Sequence, residues 1–163
     1  MNMIIPLIIA LFSFRTSAQE QLIVEKMKMS YEVKNSSIII SLSAPTEGWL
    51  LVGFNDKNDI VGSDLKMVRV RNGKIEAEDR FVKGLGDYPP DLQQGGKEDI
   101  QIENGYESNG KTNVTFSIPL QSADKKDFQH QLGEYFWLVM AYSIEDDFEH
   151  HSFMRKHLKF QFK

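Results

Sequence analysis

The sequence predicts an all-β domain: an antiparallel β-sandwich of about nine strands, immunoglobulin-like in general architecture. Three observations carry that prediction. Apolar and polar side chains alternate every two residues along much of the chain, the period of a strand with one buried face. Asn72-Gly73 and Asn109-Gly110 each separate two such runs, and Asn-Gly tolerates the positive φ angles of a type I′ hairpin turn. Two further runs, 49–54 and 135–143, are apolar on both faces, as expected of central strands covered from both sides.

Taken in order, the chain begins with residues 1–18, MNMIIPLIIALFSFRTSA, whose apolar run from Met3 to Phe12 is too short to span a bilayer. Thr16 and Ala18 stand at cleavage positions, so the expectation is a signal peptide cut after Ala18 and a single domain over 19–163. The expected localisation is secreted or periplasmic.

Met27, Met29, Tyr31 and Val33 share one face of a first strand, and Ile38, Ile40 and Leu42 share one face of a second. The turn Lys34-Asn35-Ser36 between them predicts a hairpin. The run 49–54 should form the middle of the core. Residues 65–71 and 74–82 flank Asn72-Gly73 as a second hairpin. Between 84 and 98 the composition shifts to Gly, Pro, Asp and Gln, which predicts a long surface loop. A third hairpin pairs 100–107 with 112–118 through Asn109-Gly110. The polar segment 121–134 is expected to hold a short helical turn. Strands over 135–143 and 153–162 close the domain, with a charged loop between them.

Composition removes several classes of function. The chain has no cysteine, which excludes disulfides, thiolate metal sites and cysteine nucleophiles. A net charge of -4 with no Lys/Arg stripe argues against nucleic acid or anionic lipid as partner. No apolar run is long enough for a membrane-spanning helix. No Gly-x-Ser-x-Gly, P-loop, His-Glu-x-x-His or Gly-rich dinucleotide pattern occurs, so no catalytic nucleophile is nominated.

The densest cluster of chemical groups is Glu145, Asp146, Asp147, Phe148, Glu149, His150 and His151, set between two core strands. Loops on rigid strands commonly carry function. Imidazole suits haem iron, zinc or copper, and carboxylates suit calcium; the same loop also reads as a solvated acidic turn. By strand alternation, His150 and His151 should not both enter one pocket. A second candidate loop offers Asp56, Asn58, Asp59 and Asp64 to a hard cation, though EF-hand spacing is missing; its alternative is a turn rich in residues that bond their own backbone. His130 and His157 are isolated, and His157 shares its parity with Arg155 and Lys159, which predicts a solvent-facing residue. Two N-x-S/T sequons, at Asn35 and Asn113, matter only if the host glycosylates exported proteins.

Several pieces in order carry a family pattern: Gly48-Trp49 with Val52-Gly53-Phe54, Gly62-Ser63-Asp64, Asn72-Gly73, Asp79-Arg80-Phe81, Pro90-Asp91, Asp99, Asn109-Gly110-Lys111-Thr112, and Phe148-Glu149-His150-His151 with Arg155. Together, over about residues 25–162, they resemble the DOMON domain, an extracellular β-sandwich found in dopamine β-hydroxylase relatives and in the cytochrome domain of cellobiose dehydrogenase. The resemblance implies ligand binding at one end of the sandwich, with haem b held by Met and His in some members and sugars recognised by others. The family's aromatic-His-Gly pattern falls on His150-His151-Ser152, which implies His151 as an axial ligand. Ile60 stands where haem-binding members place a methionine, Ser152 replaces the usual Gly and Ile118 the usual Arg. Met67 is the nearest substitute for the missing methionine.

The expected function is thus a secreted, non-catalytic domain binding a small molecule, with haem b as the possible cofactor and His151 and Met67 as its contacts. Loops 55–64, 84–98 and 144–152 should surround the pocket. The alternatives are a carbohydrate or surface-interaction module using Tyr88 and Tyr106, and a metal-assisted enzyme using Glu145, Asp146, Asp147, Glu149 and His151.

Overall fold

A computed structural model describes residues 21–163. The expected signal segment 1–18 lies outside the described residues. Ten strands occur among them: β1 (Gln21–Val24), β2 (Met27–Lys34), β3 (Ser37–Ala44), β4 (Leu50–Asn55), β5 (Asp64–Arg71), β6 (Lys74–Phe81), β7 (Gln101–Glu107), β8 (Thr112–Pro119), β9 (Phe136–Tyr142) and β10 (Met154–Phe160). They form two five-stranded antiparallel sheets, β1-β2-β3-β8-β7 and β10-β9-β4-β5-β6. The β-sandwich expected from the alternation is the fold found.

Two hairpins follow directly from their turn chemistry. Asn72 and Gly73 have φ of 50° and 71°, and Asn109 and Gly110 have 54° and 69°, the paired positive angles that a type I′ turn demands. The strand count corrects the expected nine to ten. β1 carries no local signal, being four residues long and turning into β2 through Glu25, which holds φ at 54°; glutamate is not a turn signal. No helix forms over 121–134, where backbone and side-chain hydrogen bonds organise the segment instead. The short 3-10 helix lies at Asp91–Gln94, inside the long loop.

The core between the sheets is built by one face of each central strand. Met27, Met29, Ile38, Ile40, Leu42, Val114, Phe116 and Ile118 of one sheet meet Leu50, Val52, Phe54, Val68, Val70, Leu138 and Met140 of the other. Burying a side chain of this size stabilises by about 1.5–3 kcal/mol, so this layer holds the domain together. β3 shows plain alternation, but every residue of β4 is buried. The reason is a second apolar layer on the outer face of the β10-β9-β4-β5-β6 sheet, containing Trp49, Leu51, Leu65, Met67, Val82, Val139, Ala141 and Phe148. One sheet therefore separates two apolar layers.

Candidate functional site

The outer layer is incompletely filled and leaves a cavity of about 330 Å³, at the small end of the ~300–1,000 Å³ typical of ligand pockets. Its floor comes from strand register. Leu51 of β4 pairs with Met67 of β5 and with Ala141 of β9, while Gly53 pairs with Leu65 and Val139. Apart from Gly53, all of these side chains line the cavity. Side chains two apart share a face, which places the five side chains side by side. A Cβ on Gly53 would fall 2.6 Å from Leu65 Cδ2 and 3.3 Å from the Val139 Cβ, so glycine lets these neighbours close over β4.

Three loops wall this floor, as the sequence predicts, but the site lies over the outer sheet face and not at the open end of the sandwich. Ile60 comes from the first loop, Gly84, Leu85, Gly86 and Tyr88 from the second, and Phe148, His150, His151 and Ser152 from the third. His150 and His151 both line the cavity, contrary to the alternation argument. They lie in a loop after a turn closed by His150 N–H donating to Asp147 O (2.9 Å), where strand alternation does not apply. Arg155 on β10 completes the rim, and among the described residues no carboxylate takes part in the lining.

The third loop is fastened from both ends. Trp49 N–H donates to Glu145 O, Ser143 N–H donates to Trp49 O, and Ser143 Oγ donates to His151 O at 3.1 Å. The Arg69 guanidinium lies 4.3 Å from the centre of the buried Phe148 ring and donates to Asp146 O. Arg80 joins the third loop to the second. It donates to Glu149 (2.6 Å), to Glu78 (2.7 Å) and to Tyr88 O (3.3 Å). Trp49, a cavity-lining residue, has a buried Nε1–H without a hydrogen-bond partner.

The DOMON domain profile matches residues 24–143. The chain belongs to the DOMON family. Solved structures with the same fold include the cytochrome domain of cellobiose dehydrogenase from Myriococcum thermophilum, at TM-score 0.63 and 11% identity, covering 89% of this chain and 82% of that one. The cytochrome b domain of pyranose dehydrogenase from Coprinopsis cinerea matches at TM-score 0.59 and 11% identity, covering 83% and 76%.

The carboxylates singled out from the sequence are scattered over this DOMON domain. Glu149 is paired with Arg80, and Asp147 Oδ1 accepts from Glu149 N–H. Asp146 is half-buried, and burial pushes its carboxyl up. Asp56 is exposed. Asp59 Oδ1 accepts from Val61 N–H, and the Asp59 and Val61 carbonyls are taken by Asn55 Nδ2 at 2.7 and 3.1 Å. Asn55, buried at the end of β4, is the organiser of that loop and was not foreseen. His157 is half-buried instead of solvent-facing, because it pairs with Val139 on the covered face.

Asp64 belongs to a polar centre that sequence reading missed. Lys66 is fully buried, and its Nζ lies 2.8 Å from Asp64, 2.6 Å from Asp79 and 3.1 Å from Asp127. Burial opposes the ammonium, but the three aspartates outweigh it and raise its pKa. Burial and the Asp64 charge push the Asp79 carboxyl up, against the pull of Lys66. The signal was Lys66 itself, a charged residue at a core parity. Nearby, His130 sits against Phe54, Phe128, Phe136 and Phe162 at ring distances of 4.5–5.6 Å. Burial, and then the Lys66 charge, lowers its pKa to about 3, so its imidazole is neutral.

Proposed function

We propose that this DOMON domain is an exported, non-catalytic binding module for a flat, largely apolar ligand carrying acidic groups, and that haem b is that ligand. The observation that carries the reading is the lining of one cavity: an apolar floor holding the Met67 thioether, with the His150 and His151 imidazoles and the Arg155 guanidinium at the rim. Thioether and imidazole are both haem-iron ligands. The donor set therefore fits, with His151 and Met67 as the residues that would hold the iron. Bound haem would supply one-electron redox chemistry. Arg155, and the Trp49 N–H that lacks a partner, would meet propionate oxygens, and the absence of carboxylates from the lining spares those anions a repulsion.

The fold supports the reading, since both solved structures named above are cytochrome domains. The cavity is small for a macrocycle, so entry requires the Gly84 to Gly86 turn, whose Leu85 is 86% exposed, to move outward. An exported location is consistent with the family's extracellular setting. The chain's own groups then do three things: bind the ring, orient it by its charged edge, and exclude water from its inner face.

Hemin titrated into purified protein should give a Soret band saturating at one equivalent. His151→Ala should weaken binding at least tenfold, and Met67→Leu, which keeps the volume, should change the spectrum. Absence of a band at near-stoichiometric hemin ends the haem reading. Glycan binding that survives His151→Ala and depends on Tyr106, which is exposed on β7, would establish the carbohydrate alternative instead.

A further inference from the structure

We propose that Asp91, Asp124 and Asp127 form a calcium site that fastens the 84–98 loop to the segment following β8. One carboxylate oxygen from each lies within 4.8 Å of the other two. That is about the span of two oxygens across a Ca²⁺ ion with ligands at ~2.3–2.6 Å. The residues are 1%, 8% and 7% exposed, so the oxygens are withheld from solvent.

Clustering alone would not make a site; the unpartnered atoms do. Asp91 Oδ2 and Asp127 Oδ2 are buried and accept no hydrogen bond, and neither does the buried Oε1 of Gln94. Buried acceptors are normally satisfied. The Gln94 amide lies against the site, its Nε2 3.5 Å from Asp91 Oδ1 and bonded to Pro89 O, which leaves Oε1 as a neutral oxygen. Gly96 presses the loop onto the carboxylates. A Cβ there would lie 2.4 Å from Asp124 Oδ2 and 3.1 Å from the Asp91 Cβ.

The existing cations satisfy these groups only in part. Lys66 takes Asp127 Oδ1, with Asp64 and Asp79, and leaves Asp127 Oδ2 free. Lys126 directs its ammonium to Gln94 O at 3.0 Å. Among the described residues, neither Asp91 nor Asp124 has an ion-pair partner. The Asp64-Asp79-Asp127 grouping differs because the Lys66 ammonium already occupies it. Asp124 is held in place by the Lys97 and Lys126 backbone N–H groups, which donate to its oxygens at 2.5 and 3.0 Å. The all-oxygen donor set, without His or Cys, selects a hard cation over zinc. A dry site suits calcium better than magnesium, which retains its waters.

Calcium here would also set the cavity wall, because Gly84 to Tyr88 belong to the same loop. The test is a calorimetric titration of the chelator-treated full chain with CaCl₂, with melting curves in parallel. The expected result is one Ca²⁺ per chain, a Tm raised by several degrees at saturation, and affinity reduced at least tenfold by Asp91→Asn. Asp56→Asn and Asp59→Asn should leave binding unchanged. Gln94→Ala serves as the weakening variant should Asp91→Asn fail to fold. The proposal is overturned if the wild-type chain shows neither heat nor Tm change up to about 10 mM Ca²⁺, above the range of weak extracellular sites. It is equally overturned if binding persists unchanged in Asp91→Asn, if Asp56→Asn abolishes it, or if Mg²⁺ gives an equal response.

Discussion

Lys66 sets the electrostatics of the interior. One ammonium faces Asp64, Asp79 and Asp127 with every partner buried, and removing it strands three carboxylates out of reach of water. Breaking a buried pair in this way costs about 3–5 kcal/mol, so Lys66→Met should lower the denaturation midpoint by that equivalent in chemical unfolding. Gly48 acts through space alone. A Cβ there would meet Ser143 O, Glu145 O and Glu145 N at 2.5–2.8 Å, all backbone and unable to rotate aside. Gly48→Ala should therefore destabilise by about 1–3 kcal/mol or more, and by more than Gly53→Ala, where the nearest atom is the mobile end of Leu65. His130 provides a pH signature. It is neutral in the fold, with its pKa lowered to about 3 by burial first and by Lys66 second. The unfolded chain takes up its proton near 6.5, so the His130 contribution is complete above that value and is lost as pH falls toward about 3. Urea midpoints measured at about pH 7.5 and 4.5 should fall less for His130→Leu than for the wild type; an equal fall would contradict the assignment.

The elements carrying the site differ in how far local sequence determines them. The hairpins at Asn72-Gly73 and Asn109-Gly110 were legible because turn chemistry acts over two residues. The all-apolar run 49–54 was legible as a doubly covered strand, and the second cover proved to be the cavity layer. His151 was placed through a family pattern and Met67 as the nearest substitute for that pattern's missing methionine, and both line one cavity. What could not be read was produced by contacts far apart in sequence: Lys66 with Asp127, Arg80 with Glu149, and Asp91 with Asp124. Nothing local distinguishes a paired aspartate from a solvated one. The third loop is a case in point, since it is pinned by Arg69 from β5 through Phe148 and Asp146. Arg69→Ala should leave the sandwich folded, raise protease cleavage within 144–152, and weaken whatever ligand the cavity takes. Unchanged cleavage would show that the strand-end hydrogen bonds suffice to hold the loop.

At the scale of the molecule, the β10-β9-β4-β5-β6 sheet is a partition. The layer that secures folding lies on one side of it, and the layer that forms the cavity lies on the other. Residues such as Leu51, Met67, Val139 and Ala141 touch the second layer and contribute little to the joint between sheets. Substitutions that exchange one apolar shape for another at these positions are therefore screened from the folding core by a full thickness of backbone. A lineage built on this plan can drift in what it binds while its scaffold stays under separate selection. Members that accept unlike ligands would then share architecture at very low sequence identity, and laboratory selection for a new ligand should begin on this floor and leave the opposite sheet untouched.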